Sequence, residues 1–259
     1  MTRGVYISGT GMLLQRRAME VVTNNITNAD TAGYKKEYLT THTFDAELLR
    51  RVNDNAETAA LARSGAEPPR VGDLNFGSQI DRLYYDFASG GFEETGRDTD
   101  FAIQGDAFFV LDTPAGERYT RAGAFLVDRD GYLIDASGNY VLGQAGRIFV
   151  GGSEFTVAPG GEVTLPDGSF ADTLRLAEFA DLQTLRKQGG GVFEAAGGQP
   201  EDGAGRSVIR QGYLEGSNVD IAREMVEMIT VYRVYETNQK MLTMNDEING
   251  KAASLGALR

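Results

Sequence analysis

Long helical patterns at the two ends of this chain, residues 4–28 and 217–255, constrain its fold more than any other feature. In each pattern, apolar residues recur at steps of three and four, which places them on one narrow helical stripe. A narrow stripe suits a helix that packs on another helix rather than one laid across a broad core. The sequence therefore predicts an α+β chain in which long N- and C-terminal helices pack on other helices and flank a β-rich middle.

The predicted helical seam runs through both ends. The C-terminal stripe is interrupted by the polar residue Gln239 and resumes, slightly rotated, at Met241. We predict that assembly contacts are made by the following residues: Leu14, Ala18, Val21, Val22, Ile26, Ile221, Met225, Met228, Tyr232, Tyr235, Leu242 and Ile248.

Turn and capping residues mark the helix ends. The first helix should end near Asn28, because Asp30-Thr31-Ala32-Gly33 has turn chemistry. Ser217-Asn218-Val219-Asp220 fits a capping box. In it the Ser217 hydroxyl would cap the second helix, and the Asp220 carboxylate would reach back to the backbone N–H of the cap residue.

Between the helices the pattern becomes that of short strands and turns. Strands are expected at Phe101–Ile103, Ala107–Leu111, Phe125–Val127 and Tyr132–Ile134, with turns at Gly131, Gly138, Gly161 and Gly168. A short helix is possible at Phe44–Val52, and residues 53–69 and 187–206 are interpreted as loops. The predicted domains are a helical assembly domain (1–35 and 216–259), a linker (36–70) and a β-rich outer domain (71–215).

Composition excludes several function classes. The chain has no cysteine and a single histidine, His42, which removes thiolate metal sites and the common histidine-based catalytic dyads. The net charge of −12 comes from the middle, where residues 71–217 carry 23 acidic and 11 basic side chains. An acidic surface without a basic stripe disfavours nucleic acid as a partner. No apolar run approaches the roughly 20 residues that span a bilayer.

Two local patterns allow a sharper hypothesis. Asp128-Arg129-Asp130-Gly131 with Asp135 has part of a calcium loop, but a hairpin turn explains it better because the closing glutamate is missing. Asn238, Asn245 and Asn249 lie near one face of the second helix, and Asn24, Asn25 and Asn28 lie on the first, so these residues could line a polar channel. Equally, they could set the register of one helix on another. No catalytic, cofactor or metal residues are predicted, and the chain is not expected to be an enzyme.

Three blocks of the chain resemble the bacterial flagellar rod and hook proteins. Residues 23–35, TNNITNADTAGYK, resemble the N-terminal signature of that family, and residues 215–240 resemble its C-terminal signature. Residues 100–109 and 119–125 resemble its first outer-domain strands. The signature positions are Asn24, Asn25, Asn28, Thr31, Gly33, Tyr34, Lys35, Ser217, Asn218, Val219 and Asp220. The family pattern is not followed at Thr27, Ala32 and Asp106-Ala107. These departures concern the subtype within the family and not the resemblance to the family.

The resemblance implies a structural role. It implies export through the flagellar type III apparatus and helical self-assembly with other rod and hook subunits into a hollow torque-transmitting rod in the basal body, in the periplasm or cell wall. In that rod the paired N- and C-terminal helices would form an inner coiled-coil layer around an axial channel, with a β-rich outer domain. Peptidoglycan or ring proteins are further possible partners. Length favours the proximal and distal rod subunits over a hook protein, with the distal type preferred. The alternatives are a hook-type axial protein and a secreted β-rich adhesin or binding module with helical ends.

Overall fold

The computed structural model describes residues 2–43, 47–50, 70–74, 77–203 and 205–256. Two long helices, α1 (Thr2–Thr27) and α2 (Ile221–Gly256), enclose the strands in chain order, which confirms the α+β class. The first ten strands are β1 (Glu37–Thr43), β2 (Glu47–Arg50), β3 (Arg70–Leu74), β4 (Ser78–Tyr85), β5 (Phe92–Glu94), β6 (Phe101–Gln104), β7 (Phe108–Thr113), β8 (Gly116–Thr120), β9 (Leu126–Val127) and β10 (Leu133–Ile134). The others are β11 (Tyr140–Val141), β12 (Thr156–Val157), β13 (Glu162–Thr164), β14 (Phe170–Thr173), β15 (Leu176–Glu178), β16 (Leu185–Gly189), β17 (Val192–Ala195), β18 (Glu201–Asp202), β19 (Val208–Gln211) and β20 (Tyr213–Glu215).

The chain divides into two compact units. The helical unit comprises Met1–Thr23, Tyr38–Tyr84 and Met225–Arg259, and the sheet unit comprises Asn24–Glu37 and Tyr85–Glu224. No helix in the described part of the chain is long and apolar enough to cross a membrane.

A nine-stranded antiparallel sheet organises the sheet unit. Its main order is β16-β17-β8-β7-β11-β10-β9, with β15 paired to both β7 and β18. Smaller sheets form from β12-β13-β14, from β19 with β6, and from β20 with β5. The predicted antiparallel strands are confirmed in type, with boundaries that shift by one or two residues.

Strand β7 lies at the centre of the sheet unit, and the side chains on both of its faces are buried. Phe109 and Leu111 belong to one apolar cluster, while Phe108 and Val110 belong to a second cluster on the other face. The period of two along a strand produces this division. The rings of Phe109 and Phe125 meet edge to face at 5.2 Å, a preferred aromatic geometry.

The predicted glycine turns are confirmed. Gly131, Gly138, Gly161 and Gly168 all have φ between 82° and 93°, which favours glycine. In the first, the Gly131 N–H donates to the Asp128 carbonyl at 3.0 Å, so this segment is a hairpin turn between β9 and β10. Among the described residues, no group of three or more acidic or histidine side chains is placed to hold a metal ion.

Two local predictions are wrong. Residues 187–206 are not one loop: β16 and β17 pair across the Gly189–Gly191 turn, and Phe193 of β17 is buried in the core. The possible helix at Phe44–Val52 is wrong over the residues that the structure describes, because Glu47–Arg50 form strand β2, which pairs with β3. In both segments tertiary pairing outweighs weak local propensity. The predicted loop at 53–69 lies outside the described residues.

Within the helical unit, β1 pairs with β4, and the Thr40 hydroxyl donates to the Arg82 carbonyl at 3.1 Å. The side chain of His42 on β1 contacts that of Gln79 on β4. Helices α1 and α2 also approach closely here. A β-carbon placed on Gly11 would lie 2.9 Å from Nδ2 of Asn238, and one on Gly4 would lie 3.0 Å from Oδ1 of Asn245.

Candidate functional site

The N- and C-terminal signature segments meet inside the sheet unit. The Gly33 N–H donates to the Glu215 carbonyl at 2.7 Å, and the Lys36 N–H donates to Oδ1 of Asn218 at 2.8 Å. Asn218 extends the contact by donating from Nδ2 to the Asp86 carbonyl at 2.8 Å. We call the region formed by residues 24–37, 86–90, 121 and 215–224 the signature junction.

Asn25 is the polar centre of the signature junction. Its Nδ2 donates to the Glu37 carbonyl at 2.8 Å and to Oε2 of Glu224 at 3.0 Å. Its Oδ1 accepts from the Glu37 N–H at 3.0 Å and from the Tyr34 hydroxyl at 3.1 Å. A buried amide has two donors and two acceptor sites, and this one uses all four. Asn25 and Glu224, 199 positions apart in sequence, are thereby joined directly.

A buried ion cluster lies beside this amide. The Lys35 ammonium contacts Oε1 of Glu215 at 2.7 Å and donates to the Ala88 carbonyl at 2.9 Å. Arg121 contacts Oε2 of Glu215 at 3.5 Å and donates to the Gly105 carbonyl at 2.7 Å. The side chains of Lys35, Glu215 and Arg121 are each at most 1% exposed. The three buried groups thus comprise two cations and one carboxylate.

Burial sets the electrostatics of the cluster. It lowers the pKa of Lys35 below its ordinary value of 10.5, and the Glu215 carboxylate opposes that shift. It likewise lowers the pKa of Arg121, again opposed chiefly by Glu215. The Arg121 guanidinium lies 4.9 Å from the centre of the Phe108 ring, which attracts a cation. Glu215 is therefore the main carboxylate that stabilises both buried cations.

A second set of ion pairs surrounds Tyr34. Lys36 contacts Oε1 of Glu224 at 2.6 Å, and Lys187 of β16 contacts Oε1 of Glu37 at 2.6 Å. The Lys187 ammonium also lies 4.0 Å from the Tyr34 ring centre. Burial raises the pKa of Tyr34, and the carboxylates of Glu37 and Glu224 raise it further. This phenol therefore stays protonated and keeps its hydrogen bond to Asn25.

Backbone geometry explains the signature glycine. Gly33 has φ of +67°, and a β-carbon there would lie 2.4 Å from the Ala122 nitrogen and the Arg121 carbonyl carbon. No side chain fits so close to another backbone. Only glycine allows this turn to approach the segment that carries Arg121.

The other signature residues shape the helix ends. Asn28 donates from Nδ2 to the carbonyl and to Oδ1 of Asn24, at 2.8 and 2.9 Å, and it accepts from the Thr31 hydroxyl at 3.3 Å. The capping-box prediction is wrong in register. Helix α2 begins at Ile221, and Oδ1 of Asp220 accepts from the Ala222 and Arg223 N–H groups at 3.0 and 3.3 Å. Asp220 is the N-cap because Ser217 lies too early and instead accepts from the Val219 N–H.

The structure thus joins most of the predicted signature positions and adds residues that sequence reasoning missed. The missed residues are Glu37, Ala88, Arg121, Glu215 and Glu224. Arg121, Glu215 and Glu224 lie within or beside the blocks that carry the family resemblance. No local pattern indicates that their charges are buried, because burial arises from distant segments.

The predicted assembly residues differ in exposure within the single chain. Val21 and Val22 are buried, and Leu14, Ala18, Ile26, Met228, Tyr235 and Leu242 are half-buried. Ile221, Met225, Tyr232 and Ile248 are exposed. Their assignment to an assembly interface stays a prediction.

Comparison with known proteins gives the family. Residues 6–35 match the family described as flagella basal body rod protein. Residues 102–172 match the flagellar hook protein FlgE/F/G D1 domain, and residues 210–255 match the flagellar basal body rod FlgEFG protein C-terminal family. The three matches fall in chain order and include most of the signature junction.

Full-length relatives agree with these matches. The flagellar basal-body rod protein FlgG of Bacillus subtilis is 31% identical over 263 residues, covering 96% of this chain and 97% of the relative. FlgG of Agrobacterium fabrum is 32% identical over 260 residues, with 95% and 96% covered. The rod protein FlgF of Caulobacter vibrioides is 28% identical over 260 residues, with 97% of each covered. The chain belongs to the FlgG/FlgF-type family of flagellar basal-body rod proteins.

Proposed function

We propose that this chain is a structural, non-catalytic subunit of the flagellar basal-body rod. The single observation that carries the proposal is the signature junction, in which the two ends of the chain are tied together by a buried polar network. Lys35 and Glu215, 180 positions apart, form its central ion pair. Buried polar networks of this kind favour one arrangement of the groups that they join. A torque-bearing subunit needs such a defined link between its terminal segments.

The exposed side of α2 supports assembly. Nine apolar side chains of this helix, between 41% and 70% exposed, lie outside any core of the single chain: Met225, Val226, Ile229, Tyr232, Val234, Met241, Met244, Ile248 and Leu255. Exposed apolar surface on this scale indicates a protein–protein interface. Contacts that do not close into a ring generate a helical filament. We place neighbouring copies and other rod or hook subunits on this face.

Finer parts of the proposal follow from the family. The two terminal helices pair as an antiparallel coiled-coil layer, with residues 1–35 and 216–259 as the assembly domain and residues 71–215 facing outward. The subunit passes through the flagellar export apparatus to the basal body. A distal, FlgG-like position is favoured, and the outward domain could contact peptidoglycan or ring proteins. The Gly4–Asn245 and Gly11–Asn238 contacts support the pairing of the helices.

The test is gene replacement with electron microscopy of basal bodies. A deletion strain should be non-motile, with membrane-embedded basal structures that lack hooks and filaments. Complementation with Ile248→Asp should fail, because a charge on this exposed apolar side chain is buried on assembly. Thr243→Asp, on the same helix at an exposed polar position, is the matched control and should restore swimming. Complete flagella in the deletion strain would refute the proposal.

A further inference from the structure

The seam between α1 and α2 contains small and polar residues beside apolar ones. In the helical unit, buried and half-buried residues of α1 recur at steps of four and three: Gly4, Ser8, Gly11, Gln15, Ala18 and Val22. The matching series on α2 is Met228, Val231, Tyr235, Asn238, Leu242, Asn245 and Asn249. Both series have a seven-residue repeat, which is the geometry of a two-helix seam. The α1 side is small and the α2 side is larger.

Two contacts define the alignment of these series. Gly4 lies against Asn245, and seven residues later Gly11 lies against Asn238, seven residues earlier on α2. The helices are therefore antiparallel, and each glycine faces one asparagine. The same step places Ala18 opposite Val231, which is only 8% exposed.

The fit between each glycine and its asparagine is tight. A β-carbon on Gly11 would lie 2.9 Å from Nδ2 and 3.2 Å from Cγ of Asn238. One on Gly4 would lie 3.0 to 3.3 Å from three side-chain atoms of Asn245, whose Nδ2 is held by the Met241 carbonyl at 2.8 Å. By contrast, a β-carbon on Gly9 of the same helix would meet nothing within 4 Å. The glycines of the seam thus have a steric role that Gly9 lacks.

We propose that these two glycine–asparagine contacts set the register of the terminal helix pair. Sliding α2 by one heptad in one direction would place Asn238 against Ala18, where a methyl group occupies the space. Sliding in the other direction would place Val231 against Gly11 and leave Asn245 without its glycine. A polar residue at a single seam position is a known way to select one register over its alternatives.

The α2 asparagines had two interpretations, a polar channel lining and a register contact between helices, and the proposed register favours the second. Asn238 and Asn245 face α1, so they act between the two helices of one chain. A channel lining would have to come from other positions. With this register, Val234, Met241 and Ile248 form a separate exposed stripe at seven-residue spacing. The inference rests on the helix pairing within the proposed function and does not depend on rod assembly.

Disulfide trapping tests the register directly, since the chain has no cysteine of its own. The in-register variant is Gly11→Cys with Asn238→Cys. The matched variants, one heptad away, are Gly11→Cys with Asn245→Cys and Gly4→Cys with Asn238→Cys. Dilute full-length protein is oxidised, and intramolecular disulfides are followed by non-reducing gels and peptide mass mapping.

We expect the in-register disulfide to form at least about tenfold faster than either shifted one, the ratio for a preference of about 1.4 kcal/mol. Equal rates, or no in-register disulfide, would overturn the inference. Neither result would bear on whether the chain assembles into a rod, which microscopy of basal bodies decides separately.

A glycine series provides the second measurement. Gly9→Ala should raise the folding equilibrium constant of the full chain by up to about fivefold, because alanine favours a helix over glycine. Gly11→Ala gains the same propensity, but Asn238 must shift to admit the methyl group, so it should raise that constant less than Gly9→Ala does. Adding Asn238→Ala to Gly11→Ala should reduce this difference. If Gly9→Ala and Gly11→Ala behave alike in urea unfolding monitored by circular dichroism, the register contact has no steric role.

Discussion

Replacing Glu215 with glutamine tests the buried ion cluster most directly. The carboxylate contacts Lys35 at 2.7 Å and Arg121 at 3.5 Å, and it accepts from the Gly90 N–H at 3.2 Å. Glutamine keeps the size of the side chain and removes its charge. Among the described residues, no other carboxylate forms an ion pair with Lys35 or Arg121, so two buried cations lose their contacting anion. Removing one partner from a buried charge cluster costs about 3–5 kcal/mol. Solvent does not screen this interaction, because the Glu215 side chain is 0% exposed, so the full cost of about 3–5 kcal/mol is expected.

The composition of the cluster predicts an order among the variants. Lys35→Met leaves Glu215 with Arg121, a balanced pair, so it should cost less than Glu215→Gln. The matched control is Glu117→Gln, which removes an ion pair with Arg175 at 2.8 Å whose side chains are 45% and 36% exposed. An exposed pair of this kind contributes at most about 1 kcal/mol.

Urea unfolding of the full-length variants gives the required comparison. The chain has eleven tyrosines and no tryptophan, so tyrosine fluorescence and circular dichroism are suitable signals. We expect the free energy of unfolding to fall most for Glu215→Gln, less for Lys35→Met and least for Glu117→Gln. If Glu215→Gln costs no more than Glu117→Gln, the argument that Glu215 balances the buried cations is refuted.

Three further predictions concern the same junction. Gly33→Ala should cost about 1–3 kcal/mol or more, since φ is +67° and the new methyl group would meet Ala122, whereas Gly152→Ala, with open space around it, should be near neutral in the same urea assay. Asn25→Ala should lower the free energy of unfolding by about 3 kcal/mol, because the buried groups of Tyr34, Glu37 and Glu224 lose their hydrogen-bond partner. Hydrogen exchange of the Glu37 amide should accelerate, and an unchanged exchange rate would contradict the role of Asn25 as the polar centre. The raised pKa of Tyr34 means that, above its ordinary value of 10.0, the unfolded state releases a proton that the folded state retains. Stability should therefore fall as pH rises above about 10, by up to about 1.4 kcal/mol per pH unit, and Tyr34→Phe should remove that part of the fall.

Much of the fold could be predicted from local chemistry. The α1 and α2 segments have seven-residue patterning over long stretches, and the turns at Gly131 and Gly168 require a residue that tolerates positive φ. These features depend on residues close together in sequence, so they can be identified without knowing what packs against them. Within the segments that were predicted wrongly, Glu47–Arg50, Leu185–Gly189 and Val192–Ala195 form strands only through their pairing partners.

The sequence by itself determined the helical ends, the antiparallel β-rich middle and the membership of the flagellar rod family, because each rests on local periodicity or on motifs in chain order. Only the tertiary structure decided which charges are buried and which asparagines act between segments. Glu215 becomes essential because Lys35 and Arg121 arrive from distant parts of the chain, and Asn238 faces Gly11 because two helices meet in one register. Such roles depend on contacts between residues that are far apart in sequence. The residues next to Glu215 or Asn238 in the sequence do not reveal that a charge is buried or that a side chain leaves no space for a methyl group.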